Sequence, residues 1–334
     1  MRMSLSELIN KYGKEQSPYM EGLVNHLPMC QVALYKLTKD LDKVASYTKY
    51  YNSHFNVDPI ALDYVPASSI DECLGKREQY EACLDLIKED IENFGMDHML
   101  KTILNTYPLG ISSGLFHVTI RLAYAVEAVF YDESLLEEVS RALAYYVTAY
   151  REVIPFYQKV SKEKIHESMQ KLINNPEVEK ILKKHESLGK TMKALYQNSK
   201  YLDAGFLIEG DEENKVQGLL DLCLPAFDNT QSIVVLHCIT GLHGMLVLKD
   251  YFKDFNRSLD IYATAAITHL LAAGGVEFSK PDFKAASISW PELISQGSSS
   301  DTVHTIKFTY TCHELYNLHP REDLKSSLIH QIHK

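Results

Sequence analysis

The stretch that most restricts the fold is QSIVVLHCITGLHGMLVL, residues 231–248. It holds no charged side chain, yet it carries two imidazoles, His237 and His243, six positions apart. SIVVL is β-branched enough for a strand, but it flows into a helical pattern, so the segment reads as a buried helix. A helix apolar around its whole circumference has to be surrounded by other elements.

The rest of the chain reads as helical almost throughout. SLSELINKYG, 4–13, opens on a serine cap and closes on Gly13. HLPMCQVALYKL, 26–37, has helical spacing. Its Pro28 is admissible in a first turn, where amide hydrogens lack partners anyway, and Asn25 is the expected cap. SLLEEVSRALAYYVTAYREVI, 134–154, reads as one long amphipathic helix, with acids early and Arg151 late to match the helix dipole. LDIYATAAITHLLAAGG, 259–275, stops on two glycines. GISSG, 110–114, reads as a loop that starts a helix, and LIEGDEENKVQ, 207–217, as an acidic loop. SKPDFKAASISWPELISQGSSSD, 279–301, reads as a loop before the last helix. Residues 155–215 are Lys/Glu-rich with sparse apolar positions, which suits a peripheral helical hairpin or lid.

Charge and composition remove several function classes. The formal charge is −10, from 44 acids against 34 bases, and no Lys/Arg stripe is interleaved with aromatics. General nucleic-acid binding needs a basic face and is not expected. No apolar run approaches the ~20 residues of a membrane span. The N-terminal MRMSLSELINKYGKEQ lacks the apolar region of a signal peptide. Six cysteines are scattered with no CxxC pair, which indicates neither a zinc ribbon nor a disulfide framework. A cytoplasmic protein with no membrane or nucleic-acid partner is the expectation, and a homo-oligomeric state stays open.

Five of the 14 histidines lie in apolar or helical contexts: His26, His117, His237, His243 and His304. Any one of them alone would be an ordinary satisfied core residue. Five together are harder to place, since each buried polar group without a partner costs about 1–3 kcal/mol. A metal ion satisfies several imidazoles at once. On a helix His237 and His243 point about 120° apart, so one can face an ion while the other faces a substrate. His304 and Lys307 share a face, and Thr311 continues it. Lys307 sits among Val303, Ile306, Phe308 and Tyr310, surroundings that depress an amine's pKa. A neutral amine can take up carbon dioxide as a carbamate. The plainer options are that Lys307 snorkels to solvent or pairs with Asp301 or Glu314. Arg121, one turn after His117 in an equally apolar helix, calls for a buried pair with Glu127 or a more distant acid.

Four blocks then point to a family. YMEGLVNHLPMCQVAL (19–34), SSGLFHVTIRLAYAVEA with ALAYYVTAY (112–150), VLHCITGLHGMLVL (235–248) and DTVHTIKFTYTCHE (301–314) occur in the order of the signature blocks of the questin oxidase-like family. The chain resembles a short bacterial-type member. The lead into His237, the Thr302–Val303 pair and the AYY at 144–146 depart from the family pattern without removing a ligand candidate.

The resemblance implies an all-α, multi-helix bundle over 1–334 as a single domain, with a metal and substrate site in the helical core. It implies oxidation of polyketide-type aromatics with molecular oxygen. Fungal relatives open a ring of an anthraquinone in a Baeyer–Villiger-type step with reduced nicotinamide, and some relatives are non-haem iron oxygenases. Carried over by motif, the metal ligands are His26, His117, His237 or His243, and His304, with Lys307 carbamylated. The set taken forward is His26, His117, His237, His304 and Lys307 around a divalent transition metal, Fe(II) ahead of zinc, with His243, Arg121 and Tyr124 as catalytic residues. Thr240 and Tyr310 are further anchors for an aromatic small-molecule substrate. No GxGxxG fingerprint for NADPH or flavin is present, so redox chemistry would come from the metal or the substrate itself. Two other readings remain: a metal-dependent hydrolase built on histidines and a carbamylated lysine, and a non-catalytic helical binding protein.

Overall fold

A computed structural model describes residues 3–20, 22–157, 159–184, 187–274, 277–278 and 288–334. Among them 17 α-helices make up the fold, as the all-α expectation requires. Strands among the described residues are confined to two two-residue pairs. Tyr19–Met20 pairs antiparallel with Leu23–Val24, and Val160–Ser161 pairs parallel with Leu207–Ile208.

In chain order the helices are α1 (Leu5–Gly13), α2 (Leu27–Thr38), α3 (Leu41–His54), α4 (Tyr80–Phe94), α5 (Met96–Thr106), α6 (His117–Val129), α7 (Leu136–Thr148), α8 (Ile165–Ile173) and α9 (Pro176–Lys184). Then follow α10 (Leu188–Tyr196), α11 (Ser199–Ala204), α12 (Glu212–Thr230), α13 (Ile233–Val247), α14 (Phe255–Ala273), α15 (Trp290–Gly297), α16 (Val303–Leu318) and α17 (Glu322–Ile332).

The apolar 231–248 segment does form a helix, α13. Ser232 caps it by accepting from the Val234 amide. It packs against α6, α12, α14 and α16, so every residue from Val235 to Met245 is buried. Each large aliphatic side chain buried this way contributes about 1.5–3 kcal/mol. Gly241 sets the closest approach. A Cβ there would stand 2.9 Å from the Phe116 Cβ and 2.8 Å from the Tyr262 hydroxyl. The missing side chain lets the start of α6 lie against α13.

Local signals hold where capping is local. Ser4 caps α1 through a reciprocal box with Glu7. Pro28 occupies the first turn of α2, while the cap is His26 and Asn25, one residue earlier, accepts from the Leu27 amide at 3.0 Å through Oδ1. Gly274, at φ +71°, ends α14, while Gly275 lies outside the described residues.

Four expectations need correction. The 134–154 stretch is not one helix: α7 stops at Thr148, and Arg151 lies beyond it with its guanidinium on the Gly75 and Tyr150 carbonyls, not on the helix dipole. The Val153 amide is instead given to Leu109 O, which draws the chain away from the helix axis. The 207–217 stretch is not a loop throughout, because Asp211 caps α12 and Glu212 and Glu213 form its first turn. Within 279–301, residues 290–297 are helical, and 279–287 lie outside the described residues. The helix bearing His304 is followed by one more, α17. Residues 155–215 contain the short helices α8 to α11, of which α10 packs on α14 and α8 on α12.

Candidate metal centre

His26 is the N-cap of α2, His117 the first residue of α6, and His304 the second residue of α16. His237 lies one turn into α13. Four helices therefore begin at one place, and the four ligand atoms lie within 4.8 Å of one another. The entry into α6 is sharp. Gly114, Leu115 and Phe116 have φ of +57°, +57° and +64° in succession. Such a left-handed run costs about 1 kcal/mol or more at each non-glycine residue and persists only where surrounding packing enforces it. Gly114 is required for a second reason, since a Cβ there would stand 2.7 Å from the Tyr145 hydroxyl.

The ring tautomers follow from the hydrogen bonds. His117 Nδ1 donates to Gly114 O at 2.6 Å, and His237 Nδ1 donates to Ile233 O at 2.6 Å. A carbonyl only accepts, so both Nδ1 atoms carry the proton and both Nε2 atoms present lone pairs. Those lone pairs face inward. His117 Nε2 stands 3.0 Å from His237 Nε2 and 2.8 Å from His26 Nε2. The His26 ring in turn is bonded to the Val24 carbonyl. His304 completes the set, with ring centroids 5.2 Å from His26 and 5.1 Å from His237.

Protons do not relieve this crowding. Burial, then the Lys307 charge and the neighbouring imidazoles, push His26 and His117 well below the ordinary histidine range. Burial followed by His117 and Lys307 does the same to His237, and burial with Lys307 takes His304 down to about 3. The positive ends of four helix dipoles act in the same sense. Neutral imidazoles with convergent lone pairs want a shared cation. Two nitrogens bound to one ion at ~2.1 Å sit about 3.0–3.4 Å apart, close to the spacings seen, so the residues fit a metal ion. The carbonyls on Nδ1 are the outer partners that orient metal-binding imidazoles.

Lys307, one turn after His304, is fully buried, and among the described residues Nζ has no hydrogen-bond or ion-pair partner. It neither snorkels nor pairs. Asp301 is exposed, and Glu314 is bonded to His313 instead. Burial brings the Lys307 amine down to about 8.

His243 is not in the four-histidine group. Six residues on, it faces a second polar region further along the same helices. Its ring stands edge-on to Tyr310, centroids 5.4 Å apart, and its Nδ1 is buried without a partner. Tyr310 donates to Glu127 Oε1 at 2.6 Å, and Glu127 is paired with Lys36. The Tyr124 ring lies 5.3 Å from Tyr310, and its hydroxyl stands beside Thr311. Thr240 is fully buried next to the site, its hydroxyl 3.4 Å from His237 O.

Arg121 finds its buried partner in the more distant acid, not Glu127. Its Nε and Nη2 reach Glu138 Oε1 at 2.9 and 2.8 Å, while Arg141 holds the other oxygen at 3.3 Å. This Arg–Glu–Arg group ties α6 to α7, leaving Arg121 Nη1 unpartnered.

Sequence reasoning passed over His269. It lies in ATAAITHLLAA, as apolar a context as the five histidines singled out, so the signal was the same. It is buried, with Nδ1 donating to Ala265 O at 2.7 Å and its ring 4.7 Å from Phe116.

A sequence model of the questin oxidase-like family matches residues 23–312. The chain belongs to that family. Among curated proteins, none matches the chain. No helix among the described residues is long and apolar enough to cross a membrane.

Proposed function

We propose that this protein is a non-haem iron oxygenase acting on a phenolic or quinone-like polycyclic aromatic of polyketide type. One observation carries the reading: His117 Nε2 stands 2.8 Å from His26 Nε2 and 3.0 Å from His237 Nε2, while carbonyls commit the Nδ1 atoms of His117 and His237. His26, His117, His237 and His304 would hold the ion. Four neutral nitrogens and no thiolate suit iron, and the family assignment supports oxidation over hydrolysis. A ferrous ion held there would supply the redox chemistry for oxidising an electron-rich ring with oxygen.

Lys307 adds an anionic oxygen ligand. Its neutral amine bonds to the carbon of carbon dioxide and releases one proton, which leaves a carbamate. The carbamate turns an unpaired buried ammonium into an acceptor for a cation, so it relieves the burial cost described above.

The second polar region handles protons. His243 is held neutral by burial, and its Nδ1, without a partner among the described residues, is free to exchange a proton. Tyr310 holds its proton on Glu127, whose charge Lys36 balances. Tyr124 presents a phenol hydroxyl on the same side. Arg121 keeps α6 in register on α7 through Glu138, and thereby His117 at its place.

The test is elemental analysis of anaerobically purified protein together with oxygen uptake. Bound iron and oxygen consumption with an aromatic phenol are expected. Bound zinc with oxygen-independent turnover would replace this reading with the hydrolase, and no bound metal at all would leave the binding protein.

A further inference from the structure

A cavity of about 630 Å³ opens between the 112–115 turn and α10. Its size lies in the range that encloses a drug-sized molecule. The floor is formed by Ser112, Gly114, Leu115 and His269, and the opposite wall by Met192 and Tyr196. That floor is the backbone that carries the metal centre. Gly114 O holds His117 Nδ1, and Phe116, which stacks on His269, directly precedes His117.

His269 is the polar side chain in this floor that the rest of the fold leaves half-used. With Nδ1 donating to Ala265 O, its Nε2 is an acceptor, and among the described residues it has no partner. Burial keeps the ring neutral, with its pKa down to about 4. A neutral imidazole acceptor asks for one donor hydrogen, and the other polar groups on the lining, among them Arg151, Glu152, Lys193 and Gln197, come from other segments of the chain. Leu115 and Met192 offer apolar contact to a ring face, and the thioether adapts to its outline. Nothing stands within 4 Å of where a Cβ on Gly189 would be, which leaves α10 a clear edge beside the cavity.

We infer that this cavity binds a planar aromatic phenol, with His269 Nε2 accepting the hydrogen bond of the ligand's hydroxyl. The inference rests on the proposed oxidation of an aromatic. It adds a holding site for such a ring behind the turn that carries His117, and the protein atom that reads its hydroxyl there. The methyl ether of the same ring would leave Nε2 unpaired once the ligand has displaced water from it, which is how a site built for a donor rejects an analogue lacking one.

The test is calorimetry with 1-naphthol and with 1-methoxynaphthalene on the purified protein, with metal content measured on the same sample. The phenol should bind one-to-one and about tenfold more tightly than its ether. In His269→Phe the two should bind equally, with metal content unchanged. In Gly189→Trp, a substitution at an exposed helical position, both should weaken at least tenfold. His269→Gln, which restores an acceptor oxygen, should recover part of the preference. Absence of binding, absence of the preference in the wild type, its survival in His269→Phe, or full binding in Gly189→Trp would each overturn the site. Metal-free protein that keeps the preference would sink the oxygenase reading and leave this site standing. Iron-loaded protein without the preference would do the reverse.

Discussion

Lys307→Met should make the metal-free protein more stable while weakening its hold on metal. Lys307 is fully buried, and its Nζ has no partner. Burial lowers the amine from the ordinary 10.5 to about 8. At pH 7, below both values, the folded protein carries the ammonium at a cost of 1.36 kcal/mol per unit of difference, roughly 3 kcal/mol in all. Methionine keeps the length and most of the volume and has no charge to desolvate. The variant should therefore gain roughly 3 kcal/mol at pH 7 in urea unfolding of metal-free protein kept under carbon dioxide-depleted buffer. For 334 residues, at ~2.1 cal/mol/K each, that corresponds to about 4 °C in Tm. The sign of the pH dependence is also determined. A depressed lysine destabilises the fold below about pH 8 and ceases to do so as pH rises to 10.5. Wild-type stability should therefore climb across that window, and the variant's should not. Metal affinity should fall in the same variant. A variant that is less stable than the wild type, or equally stable, refutes the unpaired-ammonium argument. Undiminished metal affinity refutes the place of Lys307 in the metal shell. A group kept at a cost to stability for the sake of a site is the trade-off expected of functional residues.

Carbon dioxide depletion should weaken metal binding in the wild type and leave Lys307→Met unchanged, measured by competition with a chelator; equal effects on both would remove the carbamate. His237→Ala should lose most of its metal by elemental analysis while His243→Ala retains it, because only His237 lies in the four-histidine group; metal loss from His243→Ala alone would reverse the assignment. Imidazoles with depressed pKa stabilise the fold fully above about pH 6.5, and that stabilisation is lost as pH falls toward about 4 and 3, the values for His269 and His304. Circular dichroism of metal-free protein in urea should show a falling midpoint between pH 6.5 and 4, and a flat profile would count against the buried neutral rings. Gly241→Ala should cost about 1–3 kcal/mol, since its Cβ would meet Phe116 and Tyr262 below 3.0 Å; unchanged stability would mean that α6 and α13 part more easily than their packing suggests.

The parts of this protein legible in the sequence are those with short-range causes. Ser4 and Gly274 act within a few residues, through hydrogen bonds to neighbouring amides or a left-handed φ, and each marks its helix end; Asn25, expected as a cap, falls one residue short of the cap His26 but still bonds the Leu27 amide. That the chain is helical almost throughout follows from spacing, and the family resemblance adds the all-α class. The angle between His237 and His243 follows from helical geometry alone. Where short-range signals were read too far, as at Arg151 and at 207–217, a long-range bond or an unnoticed cap decided the boundary. The site itself is different in kind. Helical spacing shows that two imidazoles diverge, but not which of them meets the others. His117 touches partners 91 and 120 positions away, and only the packing of α2, α6, α13 and α16 brings them together. The same packing gave Arg121 to Glu138 and denied Lys307 any carboxylate. It also placed a cavity behind the turn that holds His117. Contacts of this range depend on how whole helices are oriented, and no local pattern of residues encodes that.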